Sequence, residues 1–157
     1  MTSILSSRRS YELPISRDYV RHWSMPEAVR EIIQNALDSE SPFEYEFKSD
    51  KLFIRSRGAI LPTSTLLLGK TSKAHATDKI GSFGEGYKIA LLVLTREGYS
   101  VKIHNNGRIW TPFFKQSRQF DAEVLCIEDS ADPIPFEGIS FEIDGMALAH
   151  LTLPNGK

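Results

Sequence analysis

The stretch SMPEAVREIIQNALD, residues 24–38, predicts the helix around which the fold is built. Ser24 has the spacing of an N-cap residue, and Glu27 follows three positions later, where it can complete a capping box. The pair Ser41-Pro42 predicts that the helix ends at about Asp38. Apolar residues share one side of this helix, which is expected to dock on a sheet: Ala28, Val29, Ile32, Ile33, Ala36 and Leu37.

The other side of the helix carries Glu31, Asn35 and Asp38, with Gln34 at its edge. An asparagine amide oxygen is a hard, neutral ligand of the kind that Mg²⁺ accepts while it keeps several waters. A carboxylate one turn earlier can orient and deprotonate a water that attacks a phosphoryl group. Asp38 can hold waters or hydrogen-bond the surroundings of a nucleotide. A plain surface helix gives the same pattern, so this face alone leaves both interpretations open.

A second stretch, GSFGEGYK at residues 81–88, places three glycines before an apolar run. Glycine lets backbone N–H groups turn toward an anion, and a helix N-terminus adds about half a positive charge. The run Ile89–Leu94 predicts a helix buried on every side, which ends near Arg96 with Gly98 after it. Lys88 either pairs with a phosphate or extends along the surface, and a tight turn without a ligand is the plain alternative. The candidate phosphate-binding residues are Gly81, Ser82, Phe83, Gly84, Glu85, Gly86, Tyr87 and Lys88.

Short alternating segments predict the strands Tyr11–Ile15, Tyr45–Phe47, Lys51–Arg55, Ser100–His104, Arg108–Phe113, Ala122–Ile127 and Gly138–Ile143. An Asn-Asn-Gly turn at residues 105–107 joins two of them as a hairpin. Helices and strands in this order indicate an α/β fold, specifically a two-layer α/β sandwich. We expect a mixed, mostly antiparallel sheet covered by helices on one face. One domain is expected to span residues 1–157, with residues 1–10 flexible.

The composition is that of an ordinary globular chain. Of its 157 residues, 41% are hydrophobic and 25% are charged, and the net charge of −1 provides no bulk basic field for a polyanion. Nucleic-acid binding stays open, because arginines cluster near the N-terminus at Arg8, Arg9, Arg17 and Arg21. The single cysteine, Cys126, is expected to be a buried strand residue in a reducing compartment. No apolar run reaches the roughly 18 residues of a membrane span, so we expect a cytoplasmic protein without a membrane segment.

The two stretches together resemble the GHKL family of ATP-binding domains, which includes gyrase, heat-shock-90, histidine-kinase and MutL-type proteins. The segment REIIQNALD, residues 30–38, is similar to the E-x-x-x-N helix motif of the family, and IGSFGEGYKIAL, residues 80–91, is similar to its second glycine box. The segment LLGKTSK, residues 67–73, is similar to the lid of MutL-type members. The Gly-x-Lys ending of the glycine box is similar to MORC-type ATPases. A late family strand matches Gly138–Ile143, and the motifs occur in the family order between Trp23 and Ile143.

The resemblance implies a Bergerat fold that holds ATP and Mg²⁺ between helices under a mobile lid. It implies that Asn35 is the magnesium ligand, that Glu31 is the general base and that residues 81–86 contact the phosphates. The lid residues that it implies are Thr71, Ser72 and Lys73. Glutamate at position 31 is similar to the hydrolysing branches of the family, whereas histidine kinases carry asparagine or another polar residue there.

One segment departs from the family pattern. The first glycine box of the family is D-x-G-x-G, and its aspartate accepts a hydrogen bond from the adenine amino group. Here Gly58 matches the first glycine, which puts Ser56 at the aspartate and Ile60 at the second glycine. A neutral acceptor contributes about 1 kcal/mol where a charged one contributes about 1.5–3 kcal/mol. We therefore expect adenine binding to be roughly tenfold weaker or base choice to be relaxed.

These patterns predict an ATP-binding domain whose Mg-dependent hydrolysis is slow or depends on a partner. In hydrolysing relatives a following domain contributes a lysine to the γ-phosphate and mediates dimerisation, whereas this chain ends at Leu153–Lys157. A protein partner that supplies a transducer or regulatory surface fits this pattern, as does a homodimer. Two other hypotheses are a non-catalytic interaction or regulatory module with a degenerate site, and a kinase-like phosphoryl donor, against which Glu31 argues.

Overall fold

The computed structural model describes residues 8–39, 42–66 and 86–146 of the chain. These parts contain seven strands and two α-helices, which confirms the predicted α/β class. A short 3₁₀ turn, Thr63–Leu66, follows the third strand. In chain order the elements are β1 (Arg9–Ser16), α1 (Met25–Asp38), β2 (Phe43–Lys48), β3 (Lys51–Arg57), α2 (Gly86–Arg96), β4 (Ser100–Asn105), β5 (Arg108–Ser117), β6 (Ala122–Ala131) and β7 (Gly138–Asp144).

Helix α1 begins and ends where the sequence predicts. The Ser24 backbone N–H donates to Glu27 Oε1 at 2.9 Å, and Pro26 lies in the first turn. Hydrogen bonds from the side chain and backbone of Ser24 lower the pKa of Glu27. One part of the predicted apolar side is wrong, because Leu37 is 49% exposed. Leu37 lies at the margin of the apolar stripe, whereas Ile33 in the stripe is buried.

Helix α2 has the predicted all-round burial over most of its apolar run, while Ile89 at the start of the run is only partly buried. Residues 90–94 are each 0% exposed. Gly98 follows the last turn with a φ of +93°, in the left-handed region that glycine enters without strain. The Tyr99 N–H then donates to the Leu94 carbonyl at 3.0 Å, which satisfies an acceptor in the last turn. The glycine signal in the sequence therefore placed the helix end correctly.

The seven strands form one sheet in the order β1-β6-β5-β4-β7-β3-β2. Every pairing between the described strands is antiparallel, so the parallel component of the predicted mixed sheet is not seen in this part of the chain. Tight turns explain this in part, because two-residue connections join β2 to β3 and β4 to β5, and such connections allow only antiparallel pairs. The turn residues have the positive φ values that these hairpins require, at residues 49–50 and 106–107.

Alternate residues of the central strands form the core. Ile54 of β3 pairs with Phe141 of β7, and Phe141 pairs with Ile103 of β4, which lies opposite Trp110 of β5. Each of the four side chains is at most 1% exposed, and such burial stabilises the fold by about 25 cal/mol per Å² of apolar surface. The two helices contact each other, while α1 also contacts β3 and α2 contacts β4 and β5. Within the described residues, no helix has the length and apolar character needed to cross a membrane.

Cys126 is a buried strand residue, as predicted. It lies in β6 opposite Phe113 of β5 and Glu12 of β1 and is 2% exposed. Burial raises the pKa of its thiol above the usual value, and the nearby Glu12 carboxylate acts in the same direction. A thiol that stays protonated is a poor nucleophile, so the role of Cys126 is packing.

The Arg96 guanidinium, at the end of α2, fixes the segment that connects β1 to α1. It donates hydrogen bonds to four backbone carbonyls of this segment: Arg17 at 2.8 Å, Tyr19 at 2.8 Å, Val20 at 3.2 Å and Trp23 at 3.4 Å. The planar guanidinium group carries five N–H donors in a forked arrangement, so one arginine can donate to several carbonyls at once. Val20 has a φ of +46°, a strained value for a β-branched residue, and the bond to its carbonyl helps to hold it there.

Replacing Arg96 with lysine keeps the charge but removes the fork. An ammonium group presents its donors around one point and cannot reach all of these carbonyls. We expect Arg96→Lys to lower the free energy of unfolding by about 1–3 kcal/mol in urea denaturation. Arg21→Lys is the matched control, because the Arg21 side chain is 80% exposed and its ion pair with Asp18 spans 3.5 Å. Equal losses in the two variants would contradict the assigned role of Arg96.

A largely buried ionic network joins β4, β7 and the connection between β6 and β7. His104 Nδ1 lies 2.8 Å from Asp132 Oδ2, and its Nε2 lies 2.9 Å from Glu142 Oε1. Lys51 Nζ donates to the other Glu142 oxygen at 2.9 Å. Burial by itself would raise the pKa of Glu142, but the hydrogen bonds from Lys51 and His104 outweigh burial and lower it.

The lowered pKa of Glu142 makes its contribution to stability depend on pH. Because the folded-state pKa lies below the unfolded value of about 4.3, the contribution is complete at neutral pH and is lost as the pH falls through the folded-state pKa. We expect Glu142→Gln to lower the free energy of unfolding at about pH 6, and the difference from wild type to shrink as the pH falls below the unfolded-state value of about 4.3. Denaturant titrations over this range measure the difference.

Glu128→Gln is the control for this titration, since Glu128 forms an exposed ion pair with Arg8 at 3.4 Å. We expect this variant to differ little from wild type at any pH, because exposed pairs contribute little. A Glu142→Gln difference that stayed undiminished in acid would show that the charge of Glu142 is not its source.

Candidate functional site

The structure brings Glu31, Asn35 and the first residue of α2 together. Asn35 is 3% exposed, and its Nδ2 donates to the Glu31 carbonyl at 2.7 Å and to Glu31 Oε2 at 3.0 Å. The two hydrogen bonds fix the plane of the Asn35 amide and the position of the Glu31 carboxylate. The two side chains that the helix pattern singled out are therefore held as one unit on the side of α1 that meets α2.

Gly86 is the point at which the two predicted stretches meet. A Cβ built on Gly86 would lie 1.9 Å from Glu31 Oε2, so the carboxylate occupies space that any other side chain would fill. The sequence analysis assigned this glycine a role toward a ligand, and the structure adds a role toward Glu31. The start of α2, where the positive end of the helix dipole lies, is thus next to the carboxylate.

Asp38 is hydrogen-bonded to a neighbouring side chain of the same helix. Its Oδ1 accepts a hydrogen bond from Gln34 Nε2 at 3.0 Å on the exposed surface of α1. Along the same helix an open cavity of about 300 Å³ is lined by Trp23, Glu27, Arg30, Glu31 and Gln34.

Arg30 is a member of this cavity that the sequence analysis did not single out. Its side chain is 45% exposed and its Nη2 lies 3.8 Å from Glu27 Oε2. It supplies a positive charge at the mouth of a cavity that Glu31 also lines. The sequence does contain a signal for Arg30, because this cationic residue directly precedes the candidate base Glu31.

Tyr87 and Lys88 turn into the protein. The Tyr87 hydroxyl lies 2.7 Å from Thr65 Oγ1, and Lys88 Nζ donates to the Thr65 carbonyl. Lys88 is 1% exposed, so the alternative that it extends along the surface is wrong. A buried ammonium must be paired with acceptors, because an unpaired one is costly. No sequence pattern singles out Thr65, which anchors the first turn of α2 to the 3₁₀ turn after β3.

Ser56 and Gly58, the residues that match the first glycine box of the family, lie at the end of β3. Ser56 is 1% exposed, and Gly58 has a φ of +81°, which glycine adopts readily. Gly138 of β7 packs directly on this backbone, since a Cβ built there would lie 2.6 Å from the Ser56 carbonyl oxygen. Ile60, which replaces the second glycine of the box, is 55% exposed.

Two asparagines of the β4–β5 turn hold the segment after β3, although the sequence analysis treated them only as turn residues. Asn105 Oδ1 accepts from the Leu61 N–H at 3.3 Å, and Asn105 Nδ2 donates to the Leu61 carbonyl at 2.8 Å. Asn106 Nδ2 donates to the Ala59 carbonyl at 3.0 Å, and its Oδ1 accepts from the Gly138 N–H at 2.9 Å. These bonds fix the loop that carries Gly58 relative to β4 and β7.

The other predicted site residues lie outside the described parts of the chain, and their roles stay predictions. They are Thr71, Ser72, Lys73, Gly81, Ser82, Phe83, Gly84 and Glu85.

The donor set at Glu31 and Asn35 fits Mg²⁺ rather than a softer metal. Both side chains offer oxygen, and Mg²⁺ keeps several waters and needs few protein ligands when phosphates supply the rest. In the portion that the structure describes, no group of three or more His, Cys, Asp or Glu side chains is arranged to hold a metal ion by itself.

A double-mutant cycle tests the contact between Gly86 and Glu31. Alanine in place of glycine stabilises the middle of a helix by about 0.5–1 kcal/mol, and a smaller stabilisation is normal at the first residue of a helix, where Gly86 lies. We expect Gly86→Ala to be neutral or destabilising in the wild-type chain, because its Cβ displaces the Glu31 carboxylate from Asn35. In the Glu31→Ala background the same change should show the normal stabilisation, with a coupling of about 1 kcal/mol or more in urea denaturation. Additive effects would show that the two residues do not interact.

Comparison of the chain with protein-family models, with curated proteins and with solved structures finds no match in any of the three. The assignment of a function therefore depends on the side chains themselves and on the motifs of the sequence.

Proposed function

We propose that this chain binds ATP with Mg²⁺ in a Bergerat-type, two-layer arrangement and hydrolyses it slowly or with the help of a partner. The observation that supports the proposal most directly is the meeting of Glu31 and Asn35 with Gly86, the first residue of α2. These residues belong to two stretches that are about fifty residues apart in the sequence and that resemble the two motifs of one ATP-binding family; of the second stretch, the structure describes the part from Gly86 onward.

The architecture is compatible with this arrangement. Both helices contact strands of the antiparallel sheet and pack against each other, α1 next to β3 and α2 next to β4 and β5. A nucleotide held between two such helices has the start of α2 for its phosphates and the end of β3 for its base. Ser56 and Gly58 stand at that strand end, as the family pattern requires.

The roles of the residues follow from their chemistry. In the proposed site the Asn35 amide oxygen would hold Mg²⁺, which supplies neutralisation of phosphate charge. The backbone at the start of α2 would bind phosphate oxygens with its N–H groups. Glu31 would orient the attacking water and accept its proton, with the hydrogen bond from Asn35 Nδ2 holding its carboxylate in position.

The base end of the proposed site is the weaker one. Ser56 offers a neutral hydroxyl where the family carries a carboxylate, and it is 1% exposed, so its reach toward a base is limited. We therefore propose that the triphosphate, rather than adenine, provides most of the affinity, and that GTP binds within about tenfold of ATP.

Calorimetry with ATP and GTP, with and without Mg²⁺, tests binding, and release of inorganic phosphate tests turnover. We expect both nucleotides to bind, and removal of Mg²⁺ with a chelator to weaken binding at least about tenfold, since unscreened phosphates then face Glu31. Glu31→Gln should retain nucleotide and lose turnover by about 10²–10⁴-fold, the usual contribution of a general base. Glu123→Gln, an exposed change in β6 that touches neither helix, is the matched control.

Each outcome decides between the hypotheses. Absence of binding by folded protein would refute the nucleotide proposal. Binding without turnover in the wild-type chain, alone and with candidate partners, would support the non-catalytic module with a degenerate site. Transfer of labelled phosphate to another protein would support the kinase-like donor instead.

A further inference from the structure

Strand β2 forms one edge of the sheet, and among the described residues it pairs with β3 alone. The pairing runs without a break from Phe43, opposite Ser56, to Lys48, opposite Lys51. The strand contains neither a proline nor a bulge, which are two of the devices that protect an edge from pairing with another chain. This edge therefore offers an extended backbone in regular geometry.

The turn at residues 49–50 determines which backbone groups of β2 point outward. Both residues have positive φ, +53° and +62°, which is the geometry of a type I′ hairpin turn. In such a hairpin the flanking pair, Lys48 and Lys51, exchanges both backbone hydrogen bonds. Bonded pairs then recur at every second residue along the two strands.

The hydrogen bond at the other end of the strand pair agrees with this alternation. The Arg57 N–H donates to the carbonyl of Pro42 at 3.1 Å, and Pro42, like Lys48, is an even-numbered residue. The intervening odd-numbered residues of β2 therefore direct their N–H and C=O groups away from β3. These residues are Phe43, Tyr45 and Phe47, and their backbone groups can bond another strand.

Apolar side chains line this edge. Phe43, Tyr45 and Phe47 pack on the rim of the core and are only partly buried. Leu37 of α1 is 49% exposed and lies about 160° round the helix from Asn35. The Asn35 side of α1 meets α2, and α2 contacts β4 and β5, which are separated from β2 by β7 and β3. Leu37, on the other side of α1, therefore points toward β2.

The opposite face of β2 carries the charged residues Glu44, Glu46 and Lys48. Arg55 Nη1 lies 3.4 Å from Glu44 Oε2 and 2.9 Å from Glu46 Oε1. The guanidinium thus partly neutralises the two carboxylates that would otherwise repel another acidic strand. The exposed face of β2 is acidic at one end, at Glu44, and basic at the other, at Lys48. When two such strands pair antiparallel, the acidic end of one can lie opposite the basic end of the other.

We propose that β2 pairs antiparallel with β2 of a second copy of this chain, about a two-fold axis that passes beside Glu46. In this register Tyr45 lies opposite Phe47 of the second copy, and the outward backbone groups of both residues are bonded. Glu44 lies opposite Lys48 of the second copy, and symmetry provides this pair twice. This register also places Glu46 opposite Glu46 of the second copy, and in each copy Arg55 Nη1 lies 2.9 Å from Glu46 Oε1 and partly neutralises that carboxylate. An axis beside Tyr45 would instead place Glu44 opposite Glu46 twice and would provide no pair of opposite charges, which is less favourable.

The proposal does not depend on the nucleotide site, and its test uses the full chain without nucleotide. Sedimentation equilibrium over a range of concentrations up to about 1 mM should show a monomer–dimer equilibrium. Tyr45→Pro should give a monomer. Proline lacks the N–H that residue 45 directs outward, and the hydrogen bonds between β2 and β3 do not use that N–H. A wild-type chain that stays monomeric over this range, or a Tyr45→Pro variant that still dimerises fully, would overturn the proposal.

A charge swap tests the register. Lys48→Glu turns two attractive cross-strand pairs into repulsive ones and should weaken the dimer about tenfold. The double variant Glu44→Lys with Lys48→Glu restores the pairs in reversed order and should recover most of the affinity. Far-ultraviolet circular dichroism and urea denaturation verify that each variant is folded. Failure of the double variant to recover, when it is folded, would show that β2 does not face β2 in this register.

Discussion

The packing of α1 against α2 is the constraint on which the rest of the structure depends, and within it the Glu31 carboxylate lies against Gly86. A Cβ at position 86 would displace this carboxylate. The apolar sides of α1 and α2 lie on the sheet, and that docking determines which polar groups meet between them. The position of the candidate site is therefore a consequence of core packing, because the core fixes the helices that carry it.

Side chains that bond backbone groups hold the connections around this core. Arg96 binds carbonyls of the segment before α1, and Asn105 binds both backbone groups of Leu61 after β3. Backbone groups in connections lack the partners that helices and sheets provide, so polar side chains must supply them when the connection is buried. The consequence for function is that both ends of the candidate site, at α1 and at the end of β3, are held by elements outside the site.

Local signals in the sequence were sufficient to predict where helices and strands begin and end. They were insufficient to predict which side chains of these elements are buried or what those side chains contact. The start of α1 at Ser24 and the end of α2 before Gly98 were predicted, because a cap and a left-handed glycine act over a few residues. The exposure of Leu37 and the burial of Lys88 were not predicted. Each depends on which element, distant in sequence, covers that side of the helix. Asn105 illustrates the same limit, since a turn motif describes its backbone but not the loop that its amide reaches.

The sequence by itself determined the two helices, most of the strands, the hairpin turns and the two stretches whose residue types suit magnesium and phosphate. Periodicity, capping and turn chemistry are local, so the order of residues along the chain is enough to reveal them. The tertiary structure alone decided the strand order, the contact between Glu31 and Gly86, and the outward-facing edge of β2. These features join residues far apart in the chain, and only the burial of one shared core selects among the arrangements that the local elements allow.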